Sequence, residues 1–174
     1  MSIIDILKAN ATDYDIVIGD DLANKLEIYG RLLKEWNDKI NLTAIKDDEG
    51  IAVKHFLDCL LVSKVADFKD GMNVIDVGTG AGFPGMVIKT LMPECNITLL
   101  DSTKKKIDYL QELSDELDMN NICVNARAED YAKNHIEKYD YATARAVSSL
   151  SMLLEIIIPM LKVGGTFVAY KGLD

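Results

Sequence analysis

The stretch Asn73-Val74-Ile75-Asp76-Val77-Gly78-Thr79-Gly80-Ala81-Gly82-Phe83-Pro84-Gly85 decides how this chain folds. An apolar run that stops at Gly78 reads as a buried strand reaching its end. The glycines at 78, 80, 82 and 85 let the backbone turn where side chains would block a ligand. A second apolar run, Thr98-Leu99-Leu100, ends at Asp101, near the roughly 20-residue spacing at which an acidic side chain accepts from ribose hydroxyls. Together they mark a nucleotide-type cofactor site, for which three classes compete. A Walker-type phosphate loop needs Lys and then Ser or Thr after its last glycine, but Met86 and Val87 follow Gly85. A dinucleotide fingerprint counted from the strand end needs glycine where Phe83 stands; counted from Gly80 it is met two residues late, so this class stays open. Asp76 would put a carboxylate at the mouth, a poor neighbour for a pyrophosphate and a good one for a cationic, phosphate-free cofactor such as S-adenosylmethionine. Glycine-rich turns also serve simply to pack a helix on a strand; Asp101 weighs against that reading here.

Outward from this stretch, short apolar runs alternate with amphipathic segments. The pattern predicts strands at 73–78, 96–100, 122–126, 140–144 and 166–170, with helices at about 85–91, 103–118, 129–136 and 148–161. Such alternation means a parallel sheet with helices on both faces, whose ligands bind beyond the carboxyl ends of the strands. Gly78, Asp101, the turn from Ala126 to Glu129, and Arg145 all fall there. Ahead of the first strand, Leu22, Leu26, Tyr29, Leu33, Trp36 and Ile40 form one helical stripe, and Ile51, His55, Cys59 and Val62 form another. The expected organisation is a helical cap over 1–70 and a core over 71–174 in one globular unit. A sheet of this type usually adds an antiparallel pair after its fifth strand, and a chain ending at Asp174 is expected to lack it.

The 174 residues, 49% hydrophobic, suffice for one ordinary core. Neither an apolar run of bilayer length nor a basic-plus-apolar leader is present, so a cytoplasmic protein is expected. Cys59, Cys95 and Cys123 have neither metal-like nor redox-like spacing and read as free thiols; no metal is expected. The net charge of −9 argues against broad binding to nucleic acid. Lys104, Lys105 and Lys106, just after Asp101, are the basic triplet that belongs either to the rim of the cleft or to a solvated helix turn.

Several segments together resemble the GidB (RsmG) family of bacterial 16S ribosomal RNA guanine-N7 methyltransferases. They are Trp36-Asn37, Asn41-Leu42-Thr43-Ala44-Ile45, His55-Phe56-Leu57-Asp58, the glycine stretch through Phe83-Pro84-Gly85, and Leu100-Asp101-Ser102 with Lys104 and Lys105. Arg127-Ala128-Glu129, Arg145-Ala146 and Lys171-Gly172 complete the set. The resemblance implies a Rossmann-like class I methyltransferase that moves a methyl group from S-adenosylmethionine to N7 of one guanine in 16S RNA, giving 7-methylguanosine, with the small ribosomal subunit as partner. It further implies that Gly78 and Phe83 line the methionine end of the cofactor, that Ala128 and Glu129 meet the adenine, and that Arg145 stands beside the cofactor on the substrate side.

From the residues themselves, Asp101 is assigned to the ribose, and Asp76, Gly80 and Gly82 to the cofactor loop. Guanine N7 already carries a lone pair, so no general base is required and none stands out. The place after the fourth strand holds Ala144-Arg145-Ala146 rather than an Asn/Asp-Pro-Pro-Tyr element, which argues against methylation of an exocyclic amine. Arg145 is the catalytic-site candidate, with an ion pair to a carboxylate as its structural alternative. Asn41, His55, Lys104, Lys105 and Lys171 are the RNA-contact candidates, against roles as turn former, core histidine or surface lysines. Two rival functions remain at this level: a small-molecule methyltransferase on the same scaffold, and a truncated cofactor-binding domain without activity.

Overall fold

The structure, a computed structural model, describes residues 1–145 and 149–170. Strands β1 (Asn73–Val77), β2 (Asn96–Asp101), β3 (Ile122–Asn125), β4 (Tyr139–Arg145) and β5 (Leu161–Tyr170) form one sheet in the order β3-β2-β1-β4-β5, with every neighbouring pair parallel. The chain starts in the middle, walks to one edge and then crosses over to β4. That reversal opens a crevice at the carboxyl ends of β1 and β4. Register aligns those ends: Val77 lies opposite Leu100, Asp101 opposite Asn125, and Asp76 opposite Thr143.

The cap begins with α1 (Ile3–Ala11), a helix that the stripes read from sequence do not include. Ser2 caps it, accepting from Asp5 N while the Asp5 carboxylate accepts from Ser2 N, and Ile4, Leu7 and Ala11 face inward at helical spacing. Helix α2 (Asp20–Asn37) buries Leu26, Tyr29 and Leu33 on the stripe read from sequence. The second cap helix is not uniform. It runs as α3 (Asp48–Gly50), a π turn over Ile51–Leu57, α4 (Asp58–Leu60) and a 3-10 turn over Leu61–Lys64. Asp58 N–H reaches back five residues to the Val53 carbonyl, as a π turn requires.

Alternate strand residues serve opposite faces. Val74, Ile97 and Leu99 pack with the cap, with α5 (Gly85–Leu91) and with α6 (Lys104–Glu116) in one apolar core. Ile75, Val77, Leu100, Ala142 and Ala144 pack on the other face against Ala132 of α7 (Ala128–Lys133) and Leu153 and Ile157 of α8 (Leu150–Ile157). The helix expected over 148–161 is therefore shorter, continuing as a 3-10 turn over Ile158–Met160 that contains Pro159. β5 pairs with Tyr141–Arg145 from Thr166 on, as expected, and extends back to Leu161 through a register shift where Gly164 takes φ +83°.

Candidate active site

The turn after β1 is fastened before any ligand enters. Gly78 N and Thr79 N both donate to the Leu100 carbonyl, at 2.8 and 3.0 Å, and Gly78 adopts φ +67°. Asp101, nearly buried at the end of β2, accepts from Gly80 N through Oδ2 at 2.9 Å and from Thr103 N through Oδ1 at 2.8 Å. Each oxygen retains a second acceptor position, so Asp101 both shapes the loop and remains able to take ribose hydroxyls.

Two expectations for this loop are corrected. Asp76 does not stand at the mouth: it is fully buried beneath the loop, accepting from Gly85 N at 2.9 Å and from Thr143 Oγ1 at 2.8 Å. Burial pushes its carboxyl up to about 6, while the hydrogen bonds and the Arg145 charge act the other way. Gly82 and Gly85 are packing glycines. A Cβ at Gly82 would meet Tyr29 Oη at 2.5 Å, and one at Gly85 would meet the Asp76 Cβ and Leu99 Cδ2 at 2.6 Å. Gly80, with φ +57° and only the Gly78 carbonyl oxygen, at 4.0 Å, near where a Cβ would stand, serves through its N–H.

A cavity of about 370 Å³ opens beyond the strand ends, lined by Gly78, Asp101, Ala128, Glu129 and Arg145 as expected. Its remaining wall includes Lys106, Arg127 and the α8 side chains Met152, Leu153 and Ile156. The size is that of a cofactor pocket. Its donor set, an acidic residue after β2, a side-chain-free turn after β1 and an apolar helix face, fits a ribose-bearing cofactor with a flat base. Of the basic triplet, Lys106 reaches the cavity, whereas Lys104 pairs with Asp108 on the surface and Lys105 is exposed.

Arg145, at the end of β4, belongs to this cavity and to a second one of about 590 Å³ between sheet and cap, lined also by Tyr14, Val53, His55, Asp58 and Tyr170. Its Nη1 donates to the Lys54 carbonyl at 3.2 Å and lies 3.4 Å from Asp58 Oδ2; its Nη2 lies 2.7 Å from His55 Nδ1. The guanidinium also sits over the Phe83 ring, 5.1 Å from its centre. Phe83 does not line the first cavity. It is buried in a pile of rings, 5.2 Å from Tyr29 and 4.3 Å from His55, nearly parallel to both.

His55 is 5% exposed, with both ring nitrogens engaged, so it is not an open RNA-facing side chain. Burial first, and the Arg145 charge second, push its imidazole down to about 4. Asn41 is exposed on the loop after α2. Lys171 lies outside the described residues. Thr43, whose Oγ1 lies 2.9 Å from His55 Nε2, is a contact that sequence alone does not single out, although it sits inside a family-like segment; of the basic triplet it is Lys106, and not the RNA-contact candidates Lys104 and Lys105, that lines the cavity. Among the described residues no group of three or more His, Cys, Asp or Glu is placed to hold a metal ion, and no helix is long and apolar enough to cross a membrane.

Comparison with known proteins follows the same lines. A family model described as GidB, rRNA small subunit methyltransferase G, matches residues 22–174. The Ribosomal RNA small subunit methyltransferase G proteins of Clostridium botulinum (strain ATCC 19397 / Type A) and Clostridium perfringens (strain 13 / Type A) are each 45% identical over 175 residues, covering 99% of this chain and 73% of theirs. Among solved structures, a coclaurine N-methyltransferase bound to N-methylheliamine and SAH superposes with a TM-score of 0.60 at 14% identity, over 95% of this chain and 57% of that one. A SAM-dependent methyltransferase from Thiobacillus denitrificans, in complex with S-adenosyl-L-homocysteine, gives a TM-score of 0.56 at 15% identity, over 65% of this chain and 47% of the other. At these identities the structures establish the shared fold.

Proposed function

Because the chain belongs to the GidB family of ribosomal RNA small subunit methyltransferases, we propose that it transfers a methyl group from S-adenosylmethionine to N7 of one guanine in 16S ribosomal RNA, in the cytoplasm. The observation that carries this reading is the place of Arg145, whose guanidinium forms part of the wall of both cavities. When bound, S-adenosylmethionine supplies an electrophilic methyl group on its sulfonium. Asp101 would hold the ribose, and Ala128 and Glu129 would meet the adenine, against the apolar α8 side chains.

The acceptor needs no activation, because N7 presents its lone pair without losing a proton. The chain's own contribution is orientation, worth up to roughly 7–11 kcal/mol where reacting groups are well aligned. Arg145 is suited to orienting a base, since its planar fork can grip a phosphate or a base edge through two parallel bonds or stack on a ring, whereas a lysine would supply only a point charge. In the second cavity the half-exposed Asp58 carboxylate is an acceptor for the N1–H and N2–H edge of a guanine, leaving the N7 edge clear. Adenine offers a lone pair at N1 and no amine at C2, so it cannot present that donor pair.

The test is transfer of labelled methyl to small ribosomal subunits from a strain lacking the activity, with the modified base mapped. Label at a single guanine N7 is expected. Absence of label with a folded, cofactor-binding protein would refute the proposal, and label on a small acceptor but not on RNA would replace it.

A further inference from the structure

We infer that His55 is a positioning residue for this reaction: an imidazole locked as a hydrogen-bond acceptor that sets where the Arg145 guanidinium stands between the two cavities. The inference rests on the transfer reading above. An arginine carries donors only, so Nδ1 of His55, 2.7 Å from Arg145 Nη2, must accept. The ring proton then resides on Nε2 and is donated to Thr43 Oγ1 at 2.9 Å. Thr43 Oγ1 also accepts from Ile45 N at 3.1 Å, which fills its two lone pairs. Thr43 is itself held: Asn37 Oδ1 accepts from Leu42 N at 2.8 Å and from Thr43 N at 2.9 Å. A chain of fixed contacts thus runs from the end of α2 through the 41–45 loop and His55 to Arg145.

The ring plane is fixed as well. His55 stacks on Phe83 at 4.3 Å and 11°, Phe83 stacks on Tyr29 at 5.2 Å and 6°, and Tyr29 Oη donates to the Ala81 carbonyl within the glycine turn at 2.7 Å. The contact to His55 is the shortest that the guanidinium makes among the described residues; the Asp58 carboxylate is farther, at 3.4 Å. Both the neutral imidazole and its tautomer are dictated by neighbours, and the low proton affinity of the buried ring agrees. Asn37, Thr43 and His55, which do not themselves line the first cavity, acquire in this way a role in the chemistry through Arg145.

Two measurements test this. The chain has two histidines, and the other, His135, has Nδ1 2.7 Å from the Tyr131 carbonyl, where it must donate. Nitrogen-15 spectra at neutral pH are therefore expected to show opposite tautomers, Nε2–H for His55 and Nδ1–H for His135. An imidazolium or an Nδ1–H ring at His55 overturns the inference, independently of any activity. In kinetics, His55→Asn keeps an acceptor at the δ position and His55→Gln keeps a donor at the ε position. Loss of a charge-assisted contact predicts a roughly ten- to hundredfold lower kcat for His55→Gln, with KM and cofactor affinity near wild type and most of kcat retained in His55→Asn. Equal losses in the two variants would mean a purely structural histidine. Failure of the transfer reading itself would be seen separately, in the unmodified chain.

Discussion

Replacing Gly85 by Ala places a methyl group within 2.6 Å of the Asp76 Cβ and Leu99 Cδ2 and 2.7 Å from Asp76 Oδ2, distances at which something must move. Gly85 opens the first turn of α5 and the crowded neighbours belong to the strands β1 and β2, so relief comes from lifting α5 away from the sheet. Overpacking of this kind costs about 1–3 kcal/mol. The lift also stretches the 2.9 Å bond from Gly85 N to the buried Asp76 carboxylate, a contact worth about 1.5–3 kcal/mol. Better helix propensity returns less than about 1 kcal/mol. A net loss of about 3 kcal/mol lowers the melting temperature of a chain this size by about 6–12 °C. Urea unfolding should show an earlier midpoint with an unchanged slope. The matched control is Gly80→Ala, where the added methyl makes only an ordinary 4.0 Å contact with the Gly78 carbonyl oxygen and the φ of +57° alone opposes it, at about 1–2 kcal/mol. A Gly85→Ala variant at least as stable as Gly80→Ala would refute the assignment of Gly85 to packing.

Three further outcomes are expected. Arg145→Ala and Arg145→Lys should both lose methyl transfer by about a hundredfold or more while still unfolding cooperatively, since neither a truncated stem nor a point charge reproduces the fork; transfer within a few-fold of wild type in the Lys variant would remove the geometric argument. The Asp76 carboxyl titrates near 6 in the fold against 3.8 unfolded, so the native state binds more protons between those values and this group stabilises the fold as pH falls through 6; His55, near 4 against 6.5, acts in the opposite sense. Asp76→Asn removes the first effect, and its stability should fall more steeply than wild type on acidification from about pH 6.5 to 4, with parallel slopes counting against the assignment. Lys89 is buried, and its Nζ donates to the Pro93 and Cys95 carbonyls and to Asn120 Oδ1; Lys89→Met strands three acceptors and should cost about 3 kcal/mol in urea unfolding, whereas a loss below about 0.5 kcal/mol would show those groups to be satisfied otherwise.

The parallel sheet and the cleft at its strand ends were legible because both rest on local signals: apolar runs ending at Gly78 and Asp101, and the β4 end at Arg145. Spacing cannot distinguish Gly78, which lines the cavity, from Gly82 and Gly85, whose missing side chains make room for Tyr29, Asp76 and Leu99. Asp76 carries the same ambiguity. A carboxylate two residues before a strand end faces ligand or core according to the pleat, and here Thr143 from the neighbouring strand claims it. The ring pile of Tyr29, Phe83 and His55 joins residues from three distant segments, and only the packed cap reveals it. Helix α1 lies outside the motifs, yet its Ser2 and Asp5 capping box was there to be read.

The π turn over Ile51–Leu57 turns residue count into a structural parameter. His55 and Asp58, which meet Arg145 from the cap, are separated by part of this wide turn. Deleting Phe56 or Leu57 would restore ordinary α-helical winding and leave His55 and Asp58 two residues apart, a spacing that does not put side chains on one face of an α-helix. The two partners would then no longer face the same guanidinium. This segment therefore tolerates exchange of its exposed side chains far better than a change in its length, so deletion of Phe56 or Leu57 should be more damaging than several simultaneous surface substitutions there.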